Sequence, residues 1–138
     1  MAMSYKNVYV AQVCMGANMQ QLINAFTEAE SYNGPSLILA YAPCIEHGYD
    51  MGKSIEEEKR AVASGYWQLY RFNPDMPQPF TLDSKQPTLS FQEFLAGENR
   101  FQSLQKSNPE LAEQLFQQAE KDSNERFVFY QKLSTLFE

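Results

Sequence analysis

Cys44 and His47 stand at Cys-x-x-His spacing just beyond a strand-like run, and few other residues in the chain could do chemistry. A thiolate and an imidazole so spaced can share a metal ion, but one pair supplies only two ligands. A small buried thiol beside a surface imidazole is the ordinary account on spacing alone. Cys14 lies inside an apolar β-branched run and reads as core. With 1 His in 138 residues, a catalytic triad or a His-rich metal site is hard to assemble. Gly52-Lys53-Ser54 has the end of a phosphate-binding loop, but His47 stands where that loop needs its first glycine. A helix-capping turn is the better reading. Gly16-Ala17-Asn18 lacks the further glycines of a dinucleotide fingerprint, and no glycine is followed by Asp.

The elements that must position these residues follow from the apolar pattern. Val8-Tyr9-Val10-Ala11-Gln12-Val13 is β-branched, aromatic and short, hence a strand. Leu22, Ile23, Ala25, Phe26 and Ala29 share one face of a helix over about 19–30. Asn33-Gly34-Pro35 stops that helix. Ser36-Leu37-Ile38-Leu39-Ala40-Tyr41 is nearly unbroken in its apolar character, as in a parallel strand covered on both faces. Strand, helix and strand form a right-handed βαβ unit. Its carboxyl edge gathers the loops around Met15-Gly16 and around Cys44–His47, where open α/β sheets bind ligands.

Ser54 reads as the N-cap of a helix with Glu57 at capping-box spacing, ending at Gly65. Glu56-Glu57-Glu58-Lys59-Arg60 reads as a solvated face suited to the helix dipole. Trp67 to Phe72 alternates as one further, half-buried strand. Pro74, Pro77, Pro79 and Pro87 make residues 73–89 an extended, irregular connection. From Ser90 the chain is helical, with Asn108-Pro109 as a start signal. Leu111, Leu115, Ala119, Phe127, Tyr130 and Leu133 mark an apolar stripe that Ser123 interrupts. About 27 residues at 1.5 Å each give roughly 40 Å. Such a helix is either an arm on a larger body or half of a hairpin folded over its own sheet. The fold class is α/β: a partial parallel sheet (βαβ plus one further strand) with a C-terminal helical arm. Its segments are 1–72, 73–89 and 90–138.

The composition is that of a soluble globular chain, 43% hydrophobic and 20% charged. A net charge of −6 argues against nucleic acid as a partner. No run approaches the roughly 20 apolar residues that span a bilayer. Met1 to Lys6 does not resemble a signal peptide. Two cysteines exclude a disulfide scaffold, so a cytoplasmic setting is expected.

Several blocks, in order, resemble one family. Val8-Tyr9-Val10-Ala11-Gln12-Val13-Cys14-Met15-Gly16-Ala17-Asn18 resembles a strand and loop late in the thiamine-binding domain of pyruvate:ferredoxin (or flavodoxin) oxidoreductases. So does Gly34-Pro35-Ser36-Leu37-Ile38-Leu39-Ala40-Tyr41-Ala42-Pro43-Cys44-Ile45-Glu46-His47-Gly48. The likeness continues through Met51-Gly52-Lys53-Ser54, Gly65-Tyr66-Trp67-Gln68-Leu69-Tyr70-Arg71 and Pro79-Phe80-Thr81-Leu82-Asp83-Ser84-Lys85. The resemblance implies an enzyme that converts pyruvate and coenzyme A to acetyl-CoA and carbon dioxide, using thiamine diphosphate with magnesium and iron–sulfur clusters. Ferredoxin or flavodoxin collects the electrons.

It also implies that Cys44 is one of four thiolate ligands of a 4Fe–4S cluster. The other three, and the diphosphate-binding block, lie upstream in that family. The chain alone is therefore expected to hold no cofactor and to be inactive. The remaining polypeptide is its expected partner, and unpaired strands favour self-association when it is isolated. A non-catalytic binding or oligomerisation module derived from the family is the alternative. Two positions depart from the family pattern. Cys14 replaces a small residue, and Lys6 replaces a turn glycine, where a positive φ would strain it by about 1 kcal/mol.

Overall fold

The computed structural model describes residues 1–42 and 53–136. A short 3-10 turn (Ala2–Tyr5) ends at Lys6, whose φ of 60° and ψ of 10° are left-handed. The strain expected of a lysine at this turn is therefore present. β1 (Tyr9–Val13) follows, then α1 (Met19–Ser31) and β2 (Ser36–Ala40). β1 and β2 pair in parallel with Tyr9 opposite Ser36 and Val13 opposite Ala40, which completes the βαβ unit.

The remaining strands run the other way. β3 (Tyr70–Phe72) lies antiparallel on the far side of β1, and β4 (Phe80–Leu82) antiparallel beyond it. The order β2-β1-β3-β4 makes a mixed four-stranded sheet. β3 is shorter than the alternation from Trp67 suggested, because the Trp67 amide bonds the Ala61 carbonyl and its ring turns toward β1. β4 was not expected. It lies within the proline-rich stretch, between Pro79 and Pro87, where three residues free of proline suffice to pair with β3.

Alternation along β1 sends Tyr9, Ala11 and Val13 to one face of the sheet, where α1 packs with Ala25, Leu22 and Ala29. Val10 points to the other face and joins Tyr70, Phe72 and Phe80 under Tyr130 and Leu133. β1 is thus enclosed on both faces. β2 is not: Leu37 and Leu39 are 43% and 39% exposed, and only Ile38 packs under α1. Among the described residues, the two-sided cover expected for β2 is absent. Ile23 and Phe26, expected on the packed face of α1, are also half exposed.

α2 (Ser54–Ala63) starts one residue earlier than the capping signal implied. Ser54 is its first helical residue, and Lys53 occupies the cap without a side-chain bond, so the capping box does not form. The helix ends near Gly65, whose φ of +84° suits glycine. Three further helices complete the chain: α3 (Phe91–Ala96), α4 (Asn99–Ser107) and α5 (Pro109–Thr135). Ser90 caps α3 and Asn108 caps α5 through side-chain oxygens.

The C-terminal helical arm therefore lies back on its own sheet, the hairpin alternative. Its inward stripe is shifted by one residue at the start: Ala112 and Phe116 face the core, whereas Leu111 and Leu115 are exposed. Ser123 is part of that stripe rather than a break in it. Its hydroxyl donates to the Gly65 carbonyl at 2.7 Å, and its own carbonyl accepts from Gln68. A third cluster, Ala61, Phe91, Phe94 and Leu95, joins α2 to α3 and draws in Tyr66 and Trp67.

Candidate functional site

The carboxyl edge of the parallel pair is where the sheet topology brings functional groups together. β1 ends at Val13, and the chain turns at once: the amides of Ala17 and Asn18 both donate to the Cys14 carbonyl, at 3.2 and 3.0 Å. Asn18 then caps α1 by accepting from the Gln21 amide at 3.0 Å. The Val13 carbonyl accepts twice, from the Tyr41 amide at 3.1 Å and the Trp67 indole at 2.9 Å. Those two bonds fasten the exit of β2 and the turn after α2 to the same point. Tyr41 lies 5.7 Å from Trp67 and 6.4 Å from Tyr66, ring centre to ring centre, so the edge has an aromatic wall.

Cys14 sits beneath this edge and is fully buried. Its thiol is pushed up to about 11, first by burial and then by the Glu58 carboxylate. A thiol held neutral in this way is a poor ligand and a poor nucleophile at neutral pH. Its expected role as core is what the structure shows. Cys44 and His47 lie outside the described residues, as do Met51 and Gly52 of the Gly-Lys-Ser segment. The last described residue before them, Ala42, leaves from the Tyr41 end of this edge.

Glu57 and Glu58 correct the solvated-face reading of the acidic run, since both are buried. They stand four and three residues before fully buried Ala61, which puts them on its side of the helix. That spacing was the available signal, and the density of charge hid it. Glu58 packs against Gly16 so closely that a Cβ there would overlap its carboxylate. A side chain at 16 would have to displace the Glu58 carboxylate, which lies against the loop at the carboxyl edge. Glu57 pairs with Arg60 at 3.3 Å.

A polar network beside the sheet was not foreseen. Arg71 of β3 holds Asp83 by two bonds, at 2.9 and 3.0 Å, and Glu28 of α1 at 2.6 Å. The Tyr9 hydroxyl donates to Glu28 at 2.7 Å, and Gln21 reaches Asp83 at 3.0 Å. Burial and the neighbouring Glu28 carboxylate push the Tyr9 phenol above its ordinary range. This cluster fastens α1 to β3, and Asp83 also borders a cavity of about 220 Å³ with Asn18 and Ser84. On the α5 face, Gln12, Trp67, Asp122, Arg126 and Tyr130 line a cavity of about 520 Å³.

Among the described residues no three His, Cys, Asp or Glu side chains converge as a metal site. Cys14, the one cysteine among the described residues, cannot by itself supply the thiolates of an iron–sulfur cluster. No helix among them is long and apolar enough to cross a membrane.

No family model matches the chain. Similarity to individual proteins is extensive. The chain is 57% identical over 138 residues to a pyruvate:ferredoxin oxidoreductase of Moorella thermoacetica, covering 97% of the chain and 12% of the relative. It is 52% identical over 141 residues to a pyruvate-flavodoxin oxidoreductase of Enterobacter agglomerans, covering 98% of the chain and 12% of that protein. A mitochondrial pyruvate dehydrogenase [NADP(+)] of Euglena gracilis is 49% identical over 139 residues, covering 96% of the chain and 8% of its own length. The chain thus spans about an eighth or less of the relatives it matches.

Proposed function

We propose that this chain is a segment of an oxidoreductase of the pyruvate:ferredoxin/flavodoxin type and supplies one wall of its thiamine- and cluster-bearing centre without being catalytic alone. The observation that carries this reading is identity of 57% across 97% of the chain to a protein of which it spans only 12%. A match that spans nearly the whole chain reflects the packing of the whole segment, not one motif.

In this reading Cys44 contributes one thiolate to a 4Fe–4S cluster, and the other ligands come from the remaining polypeptide, as four per cluster requires. The cluster would supply single-electron transfer. This chain's own part is to hold an edge in place: Val13 pins Tyr41 and Trp67, and Glu58 with Gly16 fixes the first loop. Thiamine diphosphate and magnesium belong to the upstream portion, since no Gly-Asp-Gly stands in this sequence. The named electron acceptors of the relatives differ, whereas the matched segment stays about half identical. We therefore assign acceptor choice to other parts of the polypeptide. A chain with two cysteines and no disulfide framework suits the reducing cytoplasm.

The test grafts this chain in place of the matching stretch of the Moorella thermoacetica enzyme. The graft should reduce a viologen dye with pyruvate and coenzyme A, while the isolated chain should not. Within the graft, Cys44→Ala should lower the iron content and Cys14→Ala should not. Turnover by the isolated chain, or equal effects of the two substitutions, would overturn the assignment.

A further inference from the structure

β2 is one of the two edge strands among the described residues. Ser36-Leu37-Ile38-Leu39-Ala40 carries no charge, proline or bulge of the kind that protects a natural sheet edge. The directions of its backbone groups follow from two bonds to β1. The Tyr9 amide donates to the Pro35 carbonyl, and the Tyr41 amide donates to the Val13 carbonyl. In a parallel ladder such bonds fall on alternate residues. Leu37 and Leu39 therefore bond β1, and Ser36, Ile38 and Ala40 turn their N–H and C=O groups to the open side.

The surfaces flanking that edge are apolar and uncovered as well. Leu37 and Leu39 are exposed on one face of the sheet. Met19, Ile23 and Phe26, at helical spacing, are half exposed along α1. A second copy related by a two-fold axis would set β2 against itself antiparallel. β2 instead has the unalternated apolar sequence of an interior parallel strand, and its other side is already paired in parallel.

We propose that the open side of β2 receives a further parallel strand, supplied by the portion of the oxidoreductase that lies outside this chain. The inference rests on the functional reading above. It adds where the two parts join: the outward amides of Ile38 and Ala40 are the donors, and Leu37 with Leu39 is the apolar face that the joined segment covers.

Amide hydrogen exchange on the isolated chain and on the Moorella graft tests it. Leu37 and Leu39 should be protected in both. Ile38 and Ala40 should exchange freely in the dilute isolated chain and slow by more than about tenfold in the graft. Ala40→Pro removes only an outward N–H, which an edge strand tolerates. In the isolated chain it should leave the circular dichroism and melting temperature nearly unchanged. In the graft it should cut the yield of active enzyme by roughly tenfold, the loss of a buried backbone donor plus the clash of the ring. An active graft in which Ile38 and Ala40 stay unprotected overturns the joined edge and leaves the functional reading standing. A graft that does not fold or turn over sinks both. Protection of Ile38 and Ala40 that rises with the concentration of the isolated chain, but is missing from the graft, assigns the edge to a second copy instead and overturns the proposal.

Discussion

β1 and β2 are five-residue strands of similar apolar character, paired with one another in register, yet they live in opposite surroundings. Four of the five β1 residues are buried, and none of β2 is. β1 has α1 on one face, α5 on the other and a strand on each side. β2 has half of one face and one neighbour. The difference teaches that apolar sequence records the surroundings for which a strand is suited, whereas burial records those the described chain can provide. Where the two disagree, something outside the described residues is implicated.

Matched substitutions on the two strands give the sharpest contrast. Val13→Asp places a charge where the side chain is fully buried, and should cost more than about 4 kcal/mol, enough to abolish folding. Leu39→Asp on the paired strand should cost less than about 1 kcal/mol in the isolated chain, because the site is already open to water. Denaturant titration of both decides, and equal losses would erase the distinction between the strands.

Next in size is the network that holds α1 and β3 against β1. Arg71→Met strands Glu28 and Asp83 near one another without their cation, and should destabilise the chain by about 3 kcal/mol. β2 adjoins this network at Tyr9, opposite Ser36, but its side chains supply none of the bonds to Arg71, so its amide exchange should rise only as far as global unfolding does. Selective loss of protection in β2 would show the two strands to be more closely coupled than their packing suggests.

The continuation of β1 into Cys14 predicts a pH effect. Its thiol titrates near 9 in the unfolded chain and about 11 in the folded one. The folded state therefore keeps its proton longer, and this contribution to stability is complete below pH 9 and lost as pH rises toward 11. Cys14→Ser should flatten that decline. At pH 8 Cys14 should resist a thiol reagent until the chain unfolds, and rapid labelling would show the end of β1 to be open.

The smallest effect belongs to the turn before β1. Lys6→Gly relieves a left-handed lysine and should stabilise by about 1 kcal/mol, seen as a higher denaturant midpoint with unchanged slope.

Local signals in the sequence were strong where backbone chemistry dictates structure. Asn18, Gly65, Ser90 and Asn108 mark helix ends, because caps and left-handed turns depend on one residue type at one place. The βαβ unit was legible from periodicity alone. β4 was obscured by its flanking prolines, since three residues carry too little pattern to outweigh them. In α5 leucines drew attention from Ala112 and Phe116, although the true stripe repeats at the same interval one residue later. The acidic run before Ala61 hid two buried carboxylates. Cys14 could be placed as core, whereas Cys44 rests on resemblance, since a lone thiol has no spacing to read.

The bond between Ser123 and the Gly65 carbonyl joins positions 58 residues apart, and Phe80 stacks on Tyr130 across a similar stretch. Among the described residues, Ala2, Met3 and Val8 reach the second face of the sheet early, whereas Tyr130 and Leu133 of α5, which cover it, are translated long after β1. At synthesis rates of about 5–20 residues per second, Val10 and its neighbours wait roughly 5–20 s on the ribosome before α5 exists to cover them. Contacts of such long range also slow the search once the chain is complete. Val10, Tyr70, Phe72 and Phe80 are accordingly the surface a nascent-chain chaperone would meet, and α5 is the element whose docking releases it.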